Sequence, residues 1–297
     1  MSKIEIKKAI VPATREFLKK NLLAKNIDAV FTLGRVGAGI SYMLITDPEK
    51  MEMAMPFYPL MPENAGGLLS KLTFTDKLPE RVAVAIRPCE LQAFVELAKR
   101  AQGAPDNMIF ISPVCEGVIN FDHYTKINEP DLLEGLPEIV DSHMYRQTCK
   151  ICTNFIPKTA DITVTSCEKK TAFYVNNEIG RPLATEIGMV IEGHYDEAEC
   201  IPEKKKREKE RRKAFEQLGT MSYNIEGLID KFGRCIGCHG CSHVCPICFC
   251  ALCAFESKEN ELLPENFEDE LSKRGGMRIP TDTIFFHLGR MTHMSFS

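Results

Sequence analysis

Residues Val82 to Ser112 read VAVAIRPCELQAFVELAKRAQGAPDNMIFIS. The run Val82–Ile86 is short and apolar, as a buried strand is, and Glu90–Arg100 carries Leu91, Phe94, Val95 and Ala98 at the spacing of one helical face. Met108–Ser112 is apolar again. A strand, helix, strand succession of this length predicts a right-handed parallel crossover, which brings the ends of both strands to one edge of the sheet. Cys89 follows the first strand and Cys115 the second. Open parallel sheets bind ligands at that edge, and a helix starting beside Cys89 favours a thiolate there. Two buried structural cysteines are the plainer alternative, although Cys89 falls in the turn Arg87-Pro88-Cys89-Glu90 rather than inside a strand. Arg81 and Arg87 nearby read equally well as surface ion-pairing residues or as cations that raise a cluster's potential.

Outward from this unit, strand-like and helix-like segments alternate from Ile10 to about Ile201, which predicts an α/β domain with a partly parallel sheet over residues 1–202. A helix is expected at Ile4–Leu23 and strands at Ile27–Leu33 and Ile40–Ile45. Between those strands Gly34, Gly37 and Gly39 form GxxGxG, not the dinucleotide fingerprint, so a hairpin-like connection is expected rather than a phosphate loop. Met51, Met53, Met55 and Phe57 read as core or interface packing more than as a flavin cradle. Glu203–Lys213 holds eight basic and three acidic residues, which predicts a solvated helical connector at 203–218. Docking to an acidic partner or to a cofactor phosphate is the alternative there. Residues 219–297 then form a smaller cysteine-rich domain, expected to be ferredoxin-like (α+β).

Composition narrows the chemistry. A net charge of −4 over 297 residues gives no general affinity for nucleic acid. No run of about 18 apolar residues predicts a membrane span, and the first residues lack a secretory signal, so a cytoplasmic location is expected. Thirteen cysteines in such a chain are not read as disulfides, because cytosolic thiols stay reduced. Metal binding is the leading explanation.

Cys235, Cys238, Cys241 and Cys245, the last followed by Pro246, have the C-x2-C-x2-C-x3-C-P spacing of bacterial ferredoxins. In two-cluster ferredoxins the fourth of these cysteines ligates the other cluster. Cys245 would then join Cys248, Cys250 and Cys253, leaving Cys235, Cys238 and Cys241 one ligand short. The eighth ligand could be Cys200, His239, His243, a residue of another chain, or none. Structural zinc is the alternative for this group, but zinc sites favour two separated C-x2-C pairs. Cys149 and Cys152 form a second, weaker C-x2-C pair. With Cys89 and Cys115 they make a four-cysteine set for a further cubane, so one to three 4Fe-4S clusters are expected. Cys167 and Cys200 are left over. His287, Arg290 and His293 recur at a helical spacing of three and read as a surface helix.

These segments resemble the beta subunits of coenzyme F-420-reducing hydrogenases and formate dehydrogenases and their bacterial relatives. The resemblance is carried by MPENAGGLLSKL (61–72), AIRPCELQAFVELAK (85–99), ISPVCEG (111–117), CKIC with ADITV (149–164), RCIGCHGCSHVCPICFCALC (234–253) and FFHLGRMTHMS near the end. It implies FAD beside the clusters, with Gly66 and Gly67 matching the family's glycine pair. It also implies a partner redox subunit, such as a hydrogenase, a formate dehydrogenase or a heterodisulfide-reductase-like protein, and a soluble electron carrier. Relatives of the bacterial type continue past the HLGRMTHMS segment into a second ferredoxin motif, whereas this sequence ends at Ser297. The expected function is an oxidoreductase subunit in which a flavin links two-electron carriers to one-electron clusters, with no side chain acting as acid or base. A flavin-free relay and a zinc-stabilised interaction protein are the alternatives.

Overall fold

The computed structural model describes residues 5–37, 39–124, 143–167, 170–185, 195–219, 224–236, 238–246, 248, 253, 269, 271–273 and 283–294. The chain divides into two compact units, residues 1–216 and 217–297. Among the described residues no helix is long and apolar enough to cross a membrane.

The first unit is built on a seven-stranded sheet. Its strands are β1 (Glu5–Ile6), β2 (Ala29–Val36), β3 (Gly39–Ile45), β4 (Val82–Ala85), β5 (Met108–Pro113), β6 (Ile162–Cys167) and β7 (Lys170–Val175). They lie in the order β1-β7-β6-β5-β4-β2-β3. β2, β4, β5 and β6 run parallel to their neighbours in that series, with Val82 opposite Met108 and Ile111 opposite Ile162. The remaining pairings are antiparallel. The quoted stretch therefore folds as its pattern predicts, with α3 (Pro88–Ala98) crossing between β4 and β5.

Both faces of the central strands are covered, and this is why they read as unbroken apolar runs instead of alternating ones. Ala83, Ala85, Ile109 and Ile111 face a core shared with Phe17, Leu18 and Leu22 of α1 (Ile10–Leu23). Val82, Val84, Met108 and Phe110 face the opposite core, shared with Ala65 and Leu69 of α2 (Ala65–Leu72) and with Leu91 and Phe94 of α3. The period-two alternation of the strands sorts one sequence into two hydrophobic layers.

Two boundaries differ from expectation. α1 starts at Ile10, not Ile4, and Glu5–Ile6 instead pairs with Thr171 and Ala172. Pro12 explains this: it has no N–H to donate, which costs nothing in a first turn and about 3 kcal/mol in a helix interior. Between β2 and β3 the GxxGxG segment forms a hairpin, with Gly37 at φ 60 in its turn. A phosphate loop is excluded because no helix follows.

α2 packs on α3 through Gly66. A Cβ there would lie 2.7 Å from Glu90 O and 2.8 Å from the Ala93 Cβ. Gly66→Ala is accordingly expected to destabilise the first unit by about 1–3 kcal/mol, the usual cost of overpacking. Urea denaturation checks this as a lowered midpoint.

In the second unit, helices cover Ile225–Phe232, Gly240–His243 and Thr283–Met294. Among its described residues there is no strand, so the α+β ferredoxin-like expectation has no described counterpart.

Candidate metal centre

The carboxyl ends of β4 and β5 meet at one edge of the sheet, and the chain leaves them through Arg87-Pro88-Cys89 and Val114-Cys115-Glu116-Gly117. The Val114 amide donates to Val164 O at 2.8 Å and the Cys115 amide to Phe155 O at 2.8 Å. These bonds tie the turn after β5 to β6 and to the segment that follows the CKIC pair. Cys149 lies on the short helix Gln147–Lys150, and the Cys152 amide donates to Cys149 O at 3.3 Å. Arg146, just before this helix, donates to Val118 O through its amide and to Met61 O through its guanidinium at 2.8 Å.

The tertiary structure thus gathers cysteines that lie far apart in sequence. Cys115 and Cys152 border one small apolar cluster with Phe155 and Ile156, and Cys115 and Cys149 are close enough to Cys89 for each to raise its pKa. Cys115 and Cys149 meet across Gly117, where an added Cβ would sit 3.2 Å from the Cys149 Cβ. Burial pushes the Cys115 thiol up to about 11, while Cys89 is exposed to solvent, and the protein packed around it, with Glu90, raises its thiol. A thiol that takes up a metal or cluster gives up its proton. Among the described residues, no three Cys, His, Asp or Glu side chains are gathered closely enough to hold a single metal ion. A cubane spaces its thiolates more widely than one tetrahedral zinc does, and asks only that four thiols face a common recess.

Two buried cations flank this set. Arg87 is 3% exposed and donates to Phe57 O at 3.1 Å and to Tyr58 O. Burial opposes its charge, but Cys115, Glu90, Tyr42 and Cys89 raise its pKa. It is therefore no surface ion-pairing residue. Arg81 lies at the other end of β4, where its guanidinium donates to Asn26 O at 3.0 Å, so it does not belong to this site. The second cation was not legible in sequence. Arg207 comes from the charged helix Ile201–Gly219 and donates to Glu116 O at 2.9 Å and Cys115 O at 3.3 Å. A helix expected to be a solvated connector thus contributes a buried side chain to the cysteine site.

Glu90 fixes the frame. Fully buried, it accepts from the Arg87 amide at 2.9 Å, from the Ala65 amide at 3.1 Å and from the Tyr42 hydroxyl. The Tyr42 hydroxyl is held well above its ordinary range by burial, with Glu90 adding to the shift. Phe57, whose carbonyl receives Arg87, has φ 62, an uncommon backbone state for a bulky residue. Met51, Met55 and Phe57 are core residues, as expected, while Met53 is exposed.

Gly66 has a packing task in this structure. Its missing side chain makes room for α3, and its amide donates to the capping Asn64 Oδ1 at 2.9 Å. Gly67 follows half-buried on the same helix. Of the leftover cysteines, Cys200 is buried with its Sγ 2.9 Å from the Tyr195 hydroxyl, packed beside Phe155 and Ile156. Cys167 ends β6 at the hairpin with β7.

In the second unit the described part of the ferredoxin-type motif is a tight loop. Cys235 N donates to Phe232 O, Cys245 N to Ser242 O and Cys248 N to Cys245 O. His239 takes φ 54 ahead of the one-turn helix Gly240–His243. Gly237 and Cys250 lie outside the described residues. The terminal helix is more than a surface element: His287 Nε2 lies 3.3 Å from Cys235 Sγ, and Arg290 donates to Cys241 O at 2.9 Å. The His287 ring stacks on Phe232 at 4.8 Å, and Phe286 stacks on His239 at 4.4 Å. The spacing of three in sequence puts His287 and Arg290 on one face, and only the fold shows that this face meets the cysteine loop. The His293 side chain lies outside the described residues.

No family model matches the sequence. The chain is 27% identical over 259 residues to the F420-dependent formate dehydrogenase 1 subunit beta of Methanococcus maripaludis, covering 73% of this chain and 63% of that protein. It is 27% identical over 328 residues to the F420-dependent formate dehydrogenase subunit beta of Methanocaldococcus jannaschii, covering 94% of this chain and 80% of that one. Among solved structures, a chain of the F420-reducing NiFe hydrogenase complex from Methanosarcina barkeri matches with a TM-score of 0.52 at 16% identity. That match covers 74% of this chain and 89% of the other, and at such identity it speaks for the fold alone. The resemblance to the beta-subunit family thus holds in sequence and in fold.

Proposed function

We propose that this chain is the electron-transfer subunit of an oxidoreductase complex, carrying electrons through cubane clusters between a soluble two-electron carrier and a partner redox subunit. The observation that supports it most is the nearness of Cys115 to Cys89, Cys149 and Cys152 at the carboxyl edge of the sheet, beside the buried Arg87 and Arg207. A bound cubane stores and passes single electrons. Cys235, Cys238, Cys241, Cys245, Cys248, Cys250 and Cys253 are the ligands of the second site in this reading.

The protein's own residues contribute position and charge. Glu90 holds the start of α3 and so the place of Cys89, Arg87 and Arg207 counter the negative charge that thiolates bring, and Gly117 allows close approach of Cys115 and Cys149. A cavity of about 650 Å³ adjoins this wall, with Gln92 one helical turn beyond Cys89 and Thr153 next to Cys152 among its lining. Lys204, Arg211 and Phe215 of the charged helix face it too. The basic residues there share the wall with Glu197, Glu208 and Glu216, and the names of the relatives point to F420 as the carrier. FAD enters on the resemblance alone, with Gly66 and Gly67 as the residues that the resemblance implies for it.

Anaerobic purification followed by iron, sulfide, zinc and flavin analysis tests the reading. Iron and acid-labile sulfide in equal amounts, with FAD in the acid extract, are expected. Iron and sulfide without any FAD uptake would leave a flavin-free relay. A colourless protein containing zinc and no sulfide would sink the proposal.

A further inference from the structure

We propose that the open edge of β3 pairs with the same edge of a second copy of this chain, joining the two sheets across a two-fold axis. The pairing does not depend on what the cysteines bind.

The two ends of the sheet are finished differently. β1, at one end, is two residues long and runs straight into Lys7 and Lys8. Short edges and lysines are how soluble proteins keep an edge strand from pairing. β3, at the other end, is seven residues long, and from Val36 to Thr46 the chain carries no charge and no proline. Its apolar side chains are not all covered: Leu44 is 50% exposed and Val36, at the start of the hairpin turn, 51%. An edge of this length with neither device is a template for another strand.

The register fixes which groups face out. In a two-residue hairpin the residues flanking the turn exchange both main-chain hydrogen bonds, and bonded and non-bonded pairs alternate from there. Val36 and Gly39 flank the turn. Gly39, Ser41, Met43 and Ile45 therefore bond to β2, while Ile40, Tyr42 and Leu44 point their amides and carbonyls outward. A separate contact agrees with this parity: Leu33, opposite Tyr42, turns its carbonyl away from β3 and accepts from the Met55 amide at 2.7 Å. Among the described residues no hydrogen bond reaches the main-chain groups of Ile40, Tyr42 or Leu44.

This edge matches itself. An antiparallel two-fold axis at Tyr42 sets Tyr42 against Tyr42, and Ile40 of each copy against Leu44 of the other. Every outward amide then meets an outward carbonyl, the facing side chains are apolar or aromatic, and no like charges oppose. Such an isologous contact requires only self-complementarity. A different chain that adds a strand is selected through side-chain pockets and charge, and this edge has no charge to read.

The test is sedimentation velocity of the full-length protein, purified anaerobically, over a range of concentrations, with hydrogen–deuterium exchange of residues 39–45 at each. A dimer of twice the 33.5 kDa of one chain is expected, with the Ile40, Tyr42 and Leu44 amides better protected at high concentration than at low. Leu44→Pro removes one outward amide at a position where an edge strand tolerates proline. It is expected to weaken the dimer about tenfold or more, because the symmetry removes the bond twice. Leu23→Lys alters a comparably exposed apolar residue at the end of α1 and should leave the dimer unchanged. A protein that forms no dimer at any concentration overturns the proposal, whether residues 39–45 exchange freely or are covered by the chain itself. A dimer that leaves those amides unprotected overturns it, and so does one that Leu44→Pro does not weaken or that Leu23→Lys weakens equally. Should circular dichroism show that Leu44→Pro does not fold, Leu44→Lys takes its place, and an undiminished dimer there overturns the proposal.

Discussion

Serine at Cys115 is expected to remove one cubane's complement of iron and acid-labile sulfide, about four of each per chain, while leaving the sheet folded. Serine differs from cysteine by one atom, but its hydroxyl does not ionise near neutral pH and replaces a thiolate ligand poorly. The backbone at this position is held independently of the side chain, through the Cys115 amide to Phe155 O and the carbonyl to Arg207. Circular dichroism should therefore match the unaltered protein while the iron content drops. Cys200→Ser is the control. Its thiol is buried against Tyr195 and borders the same apolar cluster, so it is the cysteine that would replace Cys115 if the set were wrongly assigned. Iron retained in Cys115→Ser and lost in Cys200→Ser would refute the assignment.

Glu90→Ala is expected to have the largest effect on stability of any single change in the first unit. The carboxylate is fully buried and accepts from three donors: the Arg87 amide, the Ala65 amide and the Tyr42 hydroxyl. Each buried donor left without a partner costs about 1–3 kcal/mol, so a loss of at least about 3 kcal/mol is expected even after partial relaxation. Glu90→Gln keeps the size and one acceptor oxygen and should lose distinctly less. Urea midpoints of the two variants, compared at one pH, decide the matter; equal midpoints would show that the carboxylate is not the hub described here. The effect reaches function because Glu90 joins β3 and the starts of α2 and α3, and α3 begins beside Cys89.

How far the sequence could be read depended on whether a signal was local. The parallel crossover from Val82 to Ser112 was legible because strand and helix periods follow one another without interruption, and the sheet register agrees with it. The hairpin between β2 and β3 was legible from its glycines. The start of α1 was misplaced because the apolar pattern runs on past the point where Pro12 stops the helix. Ferredoxin-type spacing is local as well, and it singles out Cys235 to Cys253 with no knowledge of the fold.

Arg207 shows the opposite case. Its neighbours in sequence are nearly all charged, so nothing local separates it from Lys205 or Arg212, yet it alone of that helix is buried. His287 and Arg290 were read as surface residues for the same reason, and they meet the cysteine loop across some fifty residues of chain. Gly66 shows how one residue can carry a second, structural cause. A glycine pair at a helix start suggests a ligand, whereas close packing on α3 already requires the first of the two to lack a side chain.

By itself, then, the sequence determined the α/β class, the parallel crossover and the presence of a cysteine-rich segment with ferredoxin-type spacing, because periodicity and ligand spacing act between residues a few positions apart. Only the tertiary structure decided that Cys115 lies near Cys89, Cys149 and Cys152, and that buried Arg87 and Arg207 are the charges beside it. Those contacts join segments separated by up to 92 residues, and they exist because the parallel strands end at one edge of the sheet, where burial leaves a polar group only the partners that the fold supplies.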